Sequence, residues 1–352
     1  MIRFGPNTIS NLKITRNKKL WKNVDYIIWI VPIFLVHLSC LLIASTQRNI
    51  GIADWYHHLI MAYVGSFMIF FLAQFPLQSL RKYILPIYFI TLSALLYVNL
   101  SGTSALGAQR WLSFAGLNLQ PSEFAKITLI FVLASILDRK RFSNLSHLVK
   151  PVLVSFIPWL LVFIQPDLGT SLVFGAILLG MLYWSGMPYE WAFIVLATLV
   201  TGVFACIYSL GLLIWIPIIA FLAYKALPRK KILTLLVIFL HLSIAKITPW
   251  FWEHVLKDYQ KERLIIFINP SQDPLGGGYH MLQSKIGIGS GGLIGTGLMQ
   301  GELTKLKFIP EQHTDFIFSA LGEETGFLGT LLVIFLFFIL IFRLIKIALE
   351  AR

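Results

Sequence analysis

The sequence predicts an all-α membrane protein, a polytopic bundle of about ten transmembrane helices. First, 57% of the 352 residues are hydrophobic and only 13% are charged, against roughly 45–50% and about 25% in soluble domains. Second, apolar runs of spanning length recur along the chain. Third, basic residues concentrate in alternate connections between these runs. Because a membrane bundle grows by adding spans, we expect residues 1–352 to form a single polytopic domain.

The runs are identified by the roughly 20 apolar residues that a helix needs to cross a bilayer. They lie at 26–45, 58–76, 83–99, 121–137, 148–164, 168–186, 190–208, 210–226, 231–248 and 326–344. The first run follows a basic segment, 1–24, but it is too long for a signal peptide and has no small-residue cleavage site. We therefore expect it to remain as the first span.

The distribution of charge predicts the orientation. If the N-terminus is cytoplasmic, 19 of the 29 Lys and Arg residues fall in cytoplasmic segments and 8 in external ones, as the positive-inside rule requires. The net charge of +13 is then an orientation signal and an attraction to anionic membrane lipid, and no nucleic-acid partner is predicted. Two long segments, 100–120 and 249–325, fall outside, and long connections are commonly functional.

The first polar motif is "LGAQRWLSFAGLNLQPSEFAKITLI" (106–130). Lys126 lies three residues after Glu123 on one helix face, inside a span, where a charge costs at least about 2.5–3.5 kcal/mol unless it is paired or hydrated. We predict a Glu123–Lys126 pair that lines a polar cavity. The alternative for Glu123 is a local role at the helix start, where Pro121 is also favoured.

Two further charged residues have two interpretations each. Asp167, in "FIQPDLGTSLVF" (163–174), either caps the following span or joins the polar cavity. Arg110 either anchors the chain at the interface beside Trp111 or binds a phosphate with its permanently charged guanidinium.

The longest polar motif is "INPSQDPLGGGYHMLQSKIGIGSGGLIGTG" (268–297). It imitates a dinucleotide-binding fingerprint, but no strand-then-helix unit surrounds it, which excludes that function. Its glycines either let backbone amides approach an anion closely or let a re-entrant loop pack near the bilayer. Asp273 precedes Pro274 and is therefore restricted to an extended or turn conformation.

The last motif, "FIPEQHTDFIFSALGEETGFLG" (308–329), brings several titratable residues to the entrance of the final span. These are Glu311, His313, Asp315, Glu323 and Glu324. His280 and His313 have no helical metal-ligand spacing, so no metal site is predicted.

Together these motifs resemble the SEDS (shape, elongation, division, sporulation) family of membrane proteins, which polymerise peptidoglycan glycan strands from lipid II. The resemblance runs from about residue 100 to 330 in ordered motifs. "GYHMLQSK" and "QGELTKLKFIPEQHTDF" are more similar to the elongation branch than to the division branch.

The resemblance implies roles for individual residues. Asp273 matches the family's essential aspartate, its proposed general base, and Glu123 and Lys126 match its intramembrane ion pair. The other positions in matching motifs, where substrate binding is implied, are Arg110, Asp167, Gln283, Ser284, Lys285, His313 and Asp315.

The resemblance also implies a setting. We expect the bacterial cytoplasmic (inner) membrane, lipid II as substrate, and as partners a class B penicillin-binding protein transpeptidase and other membrane proteins of the elongation complex. A divalent cation, Mg²⁺ or Mn²⁺, is an optional contributor that no ligand set in the sequence requires. The large extracytoplasmic segment 249–325 would carry the catalytic motif.

Two features depart from the family pattern. Runs 190–208, 210–226 and 231–248 stand where one span is usual, which indicates two inserted helices. The family usually continues after the last run with two further spans and a "PLP…SYGG" motif, whereas the sequence given ends at Arg352. Because both numbers are even, the predicted topology is preserved.

The chemistry fits these residues. A diphosphate is already a good leaving group, so one carboxylate and nearby cations suffice, unlike glycoside hydrolysis with its two carboxylates. The alternatives are a flippase or other transporter of lipid-linked cell-wall precursors, whose path also contains intramembrane charges, and a non-catalytic scaffold for a transpeptidase. The polar motifs gather outside and runs such as "LLIWIPIIAFLAY" are uninterrupted, which favours the polymerase.

Overall fold

A computed structural model describes most of the chain. The described residues are 25–48, 54–74, 80–101, 103–105, 108–114, 117–138, 146–165, 167–274, 276–306 and 308–351. The basic segment 1–24, predicted to be cytoplasmic, lies outside them. Most described residues are helical, which confirms the all-α class.

The described residues form thirteen α-helices, numbered here in chain order. They are α1 Tyr26–Gln47, α2 Asp54–Leu72, α3 Ile84–Ser101, α4 Pro121–Leu137, α5 Ser146–Ile164, α6 Leu168–Trp184, α7 Tyr189–Ile207, α8 Leu212–Ala226, α9 Lys230–His254, α10 Asp258–Ile268, α11 Gly277–Ser290, α12 Glu302–Leu306 and α13 Ile317–Glu350. The ten apolar runs predicted from the sequence correspond to α1–α9 and α13.

Eight helices in the described part of the chain are long and apolar enough to cross a membrane. The two other predicted spans, α6 and α4, have 17 residues each. Helix α6 is apolar, whereas α4 contains Glu123 and Lys126. The protein is therefore a multi-pass membrane protein, and the number ten stays a prediction. Many large apolar side chains are exposed on these helices, and α2 has no buried residue, as a lipid-facing surface requires.

The chain divides into two compact units. The first unit comprises the described residues of 25–74 and 265–351, and the second comprises the described residues of 80–264. In the second unit, α3 to α6 pack around Leu95, Leu129 and Phe174, while α7 to α9 form their own apolar cluster with the end of α6.

A polar cluster lies inside the second group of helices. His241 of α9 is fully buried, and its Nδ1 lies 2.6 Å from the hydroxyl of Thr201 in α7. The indole of Trp215 in α8 donates to the same hydroxyl at 3.0 Å. One residue from each helix thus meets at one point, which specifies how α7, α8 and α9 pack.

The second unit also contains a small sheet that the all-α prediction omitted. Strands β1 (Thr103–Ala105), β2 (Ala108–Phe114) and β3 (Leu117–Leu119) form an antiparallel meander between α3 and α4. Two of the three strands have only three residues, too few for an alternating hydrophobic pattern to stand out.

In the first unit, α13 is broken at Gly326, which adopts φ 64° and ψ −164°. Such a break frees backbone groups that must find partners inside a membrane protein. Residues 291–297 supply them: the amide of Thr296 donates to the carbonyl of Glu323 at 3.0 Å, and the amide of Phe327 donates to the carbonyl of Gly292 at 2.9 Å. This segment is named the re-entrant segment after one of the two interpretations of its glycines, and its position relative to the bilayer stays a prediction.

The predicted loop 249–325 is mostly helical. It contains the last residues of α9, which continues to His254, then α10 to α12 and the start of α13. The hydropathy of this segment is too low for membrane spans. Its short polar helices also have too weak a helical periodicity to be predicted from the sequence. Its position outside the membrane stays a prediction.

Candidate active site

Asp273 lies at the turn that leads into α11. A short 3₁₀ turn, Pro270–Gln272, precedes it, and the amide of Gly276 donates to Oδ1 of Asp273 at 3.0 Å. A Cβ atom at Gly276 would lie 2.1 Å from Oδ2 of Asp273, so this position must be glycine for the carboxylate to keep its place. Asp273, which is partly exposed, is therefore held by its own turn, one of the two conformations that the following Pro274 allows.

Three predicted substrate-binding residues follow on α11. Ser284 is buried, Gln283 is half-buried and Lys285 is exposed. Successive helical residues are separated by about 100° around the axis, so these three side chains do not form one surface. Lys285 also lies about 12 Å along the axis from the start of α11, at about 1.5 Å per residue.

His313 belongs to a different cluster in the first unit. Its Nε2 lies 3.9 Å from a carboxylate oxygen of Asp54 and 3.9 Å from one of Glu311. Gln47 at the end of α1 orients Asp54, since its side-chain amide donates to the Asp54 carboxylate at 2.7 Å and its oxygen accepts from the Asp54 amide at 3.1 Å. Asp315 is exposed nearby in sequence.

Gln47 and Asp54 were not among the predicted site residues. They lie more than 250 positions before His313 in the chain, at the two sides of a short connection, so no local motif joins them to it. An acid and an amide at the ends of two adjacent apolar runs were the only available signal.

In the second unit the predicted Glu123–Lys126 pair is present. The Lys126 ammonium lies 2.9 Å from Oε1 and 2.8 Å from Oε2 of Glu123. The Glu123 side chain remains 54% exposed and that of Lys126 23%. Pro121 occupies the first turn of α4 as predicted, so the helix-start role and the ion pair coexist.

Asp167 has the capping role that one of its two interpretations predicted, and its place in a polar cavity stays a prediction. Its carboxylate caps α6 by accepting from the amide of Thr170 at 3.2 Å and from the Thr170 hydroxyl at 3.0 Å. The same carboxylate lies 3.7 Å from Nε of Arg110, which is on β2. The cap fixes the carboxylate, and the carboxylate in turn holds the guanidinium.

The ten predicted site residues thus divide between the units. Arg110, Glu123, Lys126 and Asp167 lie in the second unit; Asp273, Gln283, Ser284, Lys285, His313 and Asp315 lie in the first. Among the described residues, no three His, Cys, Asp or Glu side chains are placed to hold a metal ion.

A family model described as "Cell cycle protein", which covers the FtsW, RodA and SpoVE proteins, matches residues 19–235 and 208–352. The chain belongs to the FtsW/RodA/SpoVE family. The predicted SEDS membership is therefore confirmed.

Curated members of the FtsW/RodA/SpoVE family align with nearly the whole chain. The peptidoglycan glycosyltransferase MrdB of Escherichia coli K12 is 32% identical over 341 residues, which cover 96% of this chain and 80% of MrdB. The peptidoglycan glycosyltransferase RodA of Treponema pallidum is 30% identical over 347 residues, which cover 88% of this chain and 78% of that RodA.

Solved structures show the same fold. The rod shape determining protein RodA of Thermus thermophilus superposes with a TM-score of 0.55 at 20% identity, over 94% of this chain and 77% of that one. A chain from a peptidoglycan synthase complex, solved to explain coordination of polymerization and crosslinking, gives a TM-score of 0.64 at 24% identity, over 93% and 79%.

Proposed function

We propose that the protein is a peptidoglycan glycosyltransferase that polymerises lipid II into glycan strands during cell elongation. The observation that carries this proposal is its 32% identity, over 96% of its length, to a relative named peptidoglycan glycosyltransferase. The resemblance to the family also assigns a general base for this reaction, Asp273.

Asp273 is proposed as the general base. Its carboxylate removes the proton from the acceptor sugar hydroxyl as the hydroxyl oxygen forms a bond to the anomeric carbon of the donor. The bond from that carbon to the diphosphate oxygen breaks, and undecaprenyl diphosphate leaves. The hydrogen bond from Gly276 to Oδ1 orients the carboxylate, and a positioned base contributes on the order of 10²–10⁴-fold.

A cationic side chain of the first unit is proposed to stabilise the departing diphosphate: Lys285, which is exposed on α11. In the second unit, Arg110 is proposed to bind phosphate oxygens of the substrate with its planar fork of donors, and Asp167 beside it restricts how the guanidinium turns. We assign Mg²⁺ or Mn²⁺ no step, because neutralisation by these side chains is sufficient in the proposal.

The proposed setting is the bacterial inner membrane with a cytoplasmic N-terminus. The excess of basic residues in alternate connections supports this orientation. A class B penicillin-binding protein transpeptidase is the proposed main partner, alongside other membrane proteins of the elongation complex. A likeness in fold to a chain from a complex of polymerization and crosslinking supports that choice.

The test is a polymerisation assay with purified full-length protein, its partner transpeptidase and lipid II. Asp273→Asn keeps the size of the side chain and removes the base, so glycan synthesis should fall by about 10²–10⁴-fold. Asp258→Asn is the matched control, because Asp258 is fully exposed at the start of α10. Repeating the assay after chelation, with Mg²⁺ or Mn²⁺ restored, measures any cation requirement.

Equal polymer from wild type and Asp273→Asn would refute the general base. Wild-type protein that moves lipid II across vesicle membranes without joining it would refute polymerisation and favour the flippase.

A further inference from the structure

The broken helix α13 holds two consecutive acidic side chains that the proposed reaction does not use. Glu323 is 1% exposed and Glu324 is 2% exposed. Both lie just before the break at Gly326, beside the re-entrant segment 291–297. Two adjacent carboxylates buried this deeply require full compensation by hydrogen bonds.

Glu323 binds the start of α12. Its Oε1 accepts from the amide of Leu303 at 2.7 Å, and its Oε2 accepts from the amide and the hydroxyl of Thr304 at 3.0 and 2.7 Å. Gly301 packs against this carboxylate, since a Cβ atom there would lie 2.8 Å from Oε2. Three donors on one carboxylate fix both the rotamer of Glu323 and the path of the α12 backbone.

Glu324 binds two other parts of the first unit. Its Oε1 accepts from the hydroxyl of Ser45, near the end of α1, and its Oε2 accepts from the amide of Met299 at 3.0 Å. Met299 adopts a positive φ of 62°, which a residue other than glycine keeps only when its surroundings hold it there. Glu324 therefore joins α1, α13 and the chain between the re-entrant segment and α12.

The five hydrogen bonds on these carboxylates all come from neutral donors, and together they use all four oxygens. An apolar core of similar volume, in which both the carboxylates and their donors are replaced, is often as stable as such a buried network. Stability alone therefore does not account for this arrangement. The arrangement also fixes the positions of the donor segments, because each oxygen binds a particular backbone amide or hydroxyl.

The network reaches the predicted site. The side-chain amide of Gln312 donates to the hydroxyls of Thr304 and Ser319, each at 3.2 Å, and Gln312 is 5% exposed. His313, the next residue, lies beside Asp54. The connection from Glu323 through Thr304 and Gln312 thus determines where the loop with His313 lies.

The same break in α13 holds the end of α11. Ile288 of α11 packs so closely on Gly322 that a Cβ atom there would lie 2.9 Å from its side chain, and the re-entrant segment that follows α11 pairs with the backbone around Gly326. The other end of α11 begins directly after the turn of Asp273. A displacement of the re-entrant segment would therefore move the helix that follows the proposed base.

We propose that Glu323 and Glu324, the carboxylate clasp, are positioning residues of the glycosyltransferase. They hold the re-entrant segment and α12 in the break of α13, and so keep α11 and the His313 loop in the geometry that turnover requires. The proposal rests on the proposed function. A misplacement of about 1 Å costs up to about 10²-fold in rate, so the clasp acts on kcat rather than on folding alone.

The first experiment measures local opening. Hydrogen–deuterium exchange is followed in peptides that cover 298–306 for wild type, Glu323→Gln and Thr304→Val. Glu323→Gln weakens the charge-assisted bonds to the α12 amides, and Thr304→Val removes the hydroxyl donor at nearly constant size. Both should speed exchange at 303–304. Glu302→Gln, the same change at the exposed neighbouring position, should leave exchange unchanged.

The second experiment measures lipid II turnover by the same variants. We expect kcat to fall by about 10- to 100-fold in Glu323→Gln and Thr304→Val, with a smaller change in KM. Thr304→Ser retains the hydroxyl and should restore most of the lost rate. Glu302→Gln should keep the wild-type kcat.

Folded variants with faster exchange and wild-type kcat would overturn the positioning role, as would unchanged exchange at 303–304. If Glu323→Gln does not fold, Thr304→Val and Ser45→Ala, which alter the clasp without removing a charge, decide by the same criteria. Asp273→Asn should lose turnover with wild-type exchange at 298–306. Wild-type protein without polymerase activity would refute the proposed function, and with it the positioning role, whereas faster exchange in the variants would still establish the clasp.

Discussion

Two sets of acidic side chains, one in each unit, are satisfied in different ways. In the second unit, Glu123 lies 2.8 Å from the ammonium of Lys126, and Asp167 lies 3.7 Å from Nε of Arg110. In the first unit, the carboxylate clasp accepts only from amides and hydroxyls in the contacts described above. Each of the two pairs contains a cation, whereas the hydrogen bonds of the clasp come from neutral donors.

The difference between Glu123 and the clasp follows exposure. The Glu123 side chain is about half exposed, and ion pairs in contact with water are weak and exchange partners readily. Such a pair is suited to a charged ligand that replaces one of its members. Glu323 and Glu324 are out of contact with solvent, where an unmade hydrogen bond is expensive. They are suited to holding the backbone in one arrangement.

The largest effect is expected from removing a clasp carboxylate. Glu323→Ala leaves two amides and one hydroxyl of the α12 region without their acceptor, and the free energy of unfolding should fall by about 3–5 kcal/mol. Denaturant unfolding of the purified protein in detergent measures it. Glu302→Ala is the control at an exposed position, and equal losses in the two variants would contradict the comparison.

A smaller effect is expected at Asp167, which is both a cap and an ion-pair member. Asp167→Ala removes the acceptor for Thr170 and should lower the free energy of unfolding by about 0.5–2 kcal/mol. Asp167→Asn keeps a good capping group and removes only the charge beside Arg110, so it should recover most of that loss. Failure of Asn to recover it would show that the ion pair, rather than the cap, dominates.

The smallest effect is expected for the Glu123–Lys126 pair. Lys126→Ala should damage stability or activity, and Lys126→Ala/Glu123→Ala should recover part of the loss, with a coupling energy of about 0.2–1 kcal/mol. The coupling should shrink in high salt, because the pair is partly exposed. A double variant worse than either single variant would contradict pairing.

Much of the fold was predictable because the requirements of a bilayer apply to consecutive residues. A span needs about 20 apolar residues, so α1 to α9 were found with boundary errors of a few residues. The predicted start of the last span, residue 326, coincides with the break of α13 at Gly326. The helical residues before the break, which begin at Ile317, were not predicted because Glu323 and Glu324 lower their hydropathy. The β-meander was missed because two of its three strands have only three residues, too few for an alternating pattern.

The sequence by itself determined the class of protein, the apolar helices and the Glu123–Lys126 pair, since each depends on residues that are close in the chain. Tertiary structure alone decided the role of the glycine-rich segment, where a Cβ atom at Gly295 would lie 2.2 Å from the carbonyl oxygen of Glu324. It also decided the partner of Glu324, because Ser45 is 279 positions away. Close packing and the satisfaction of buried charges depend on segments brought together by folding, and no local pattern records which ones will meet.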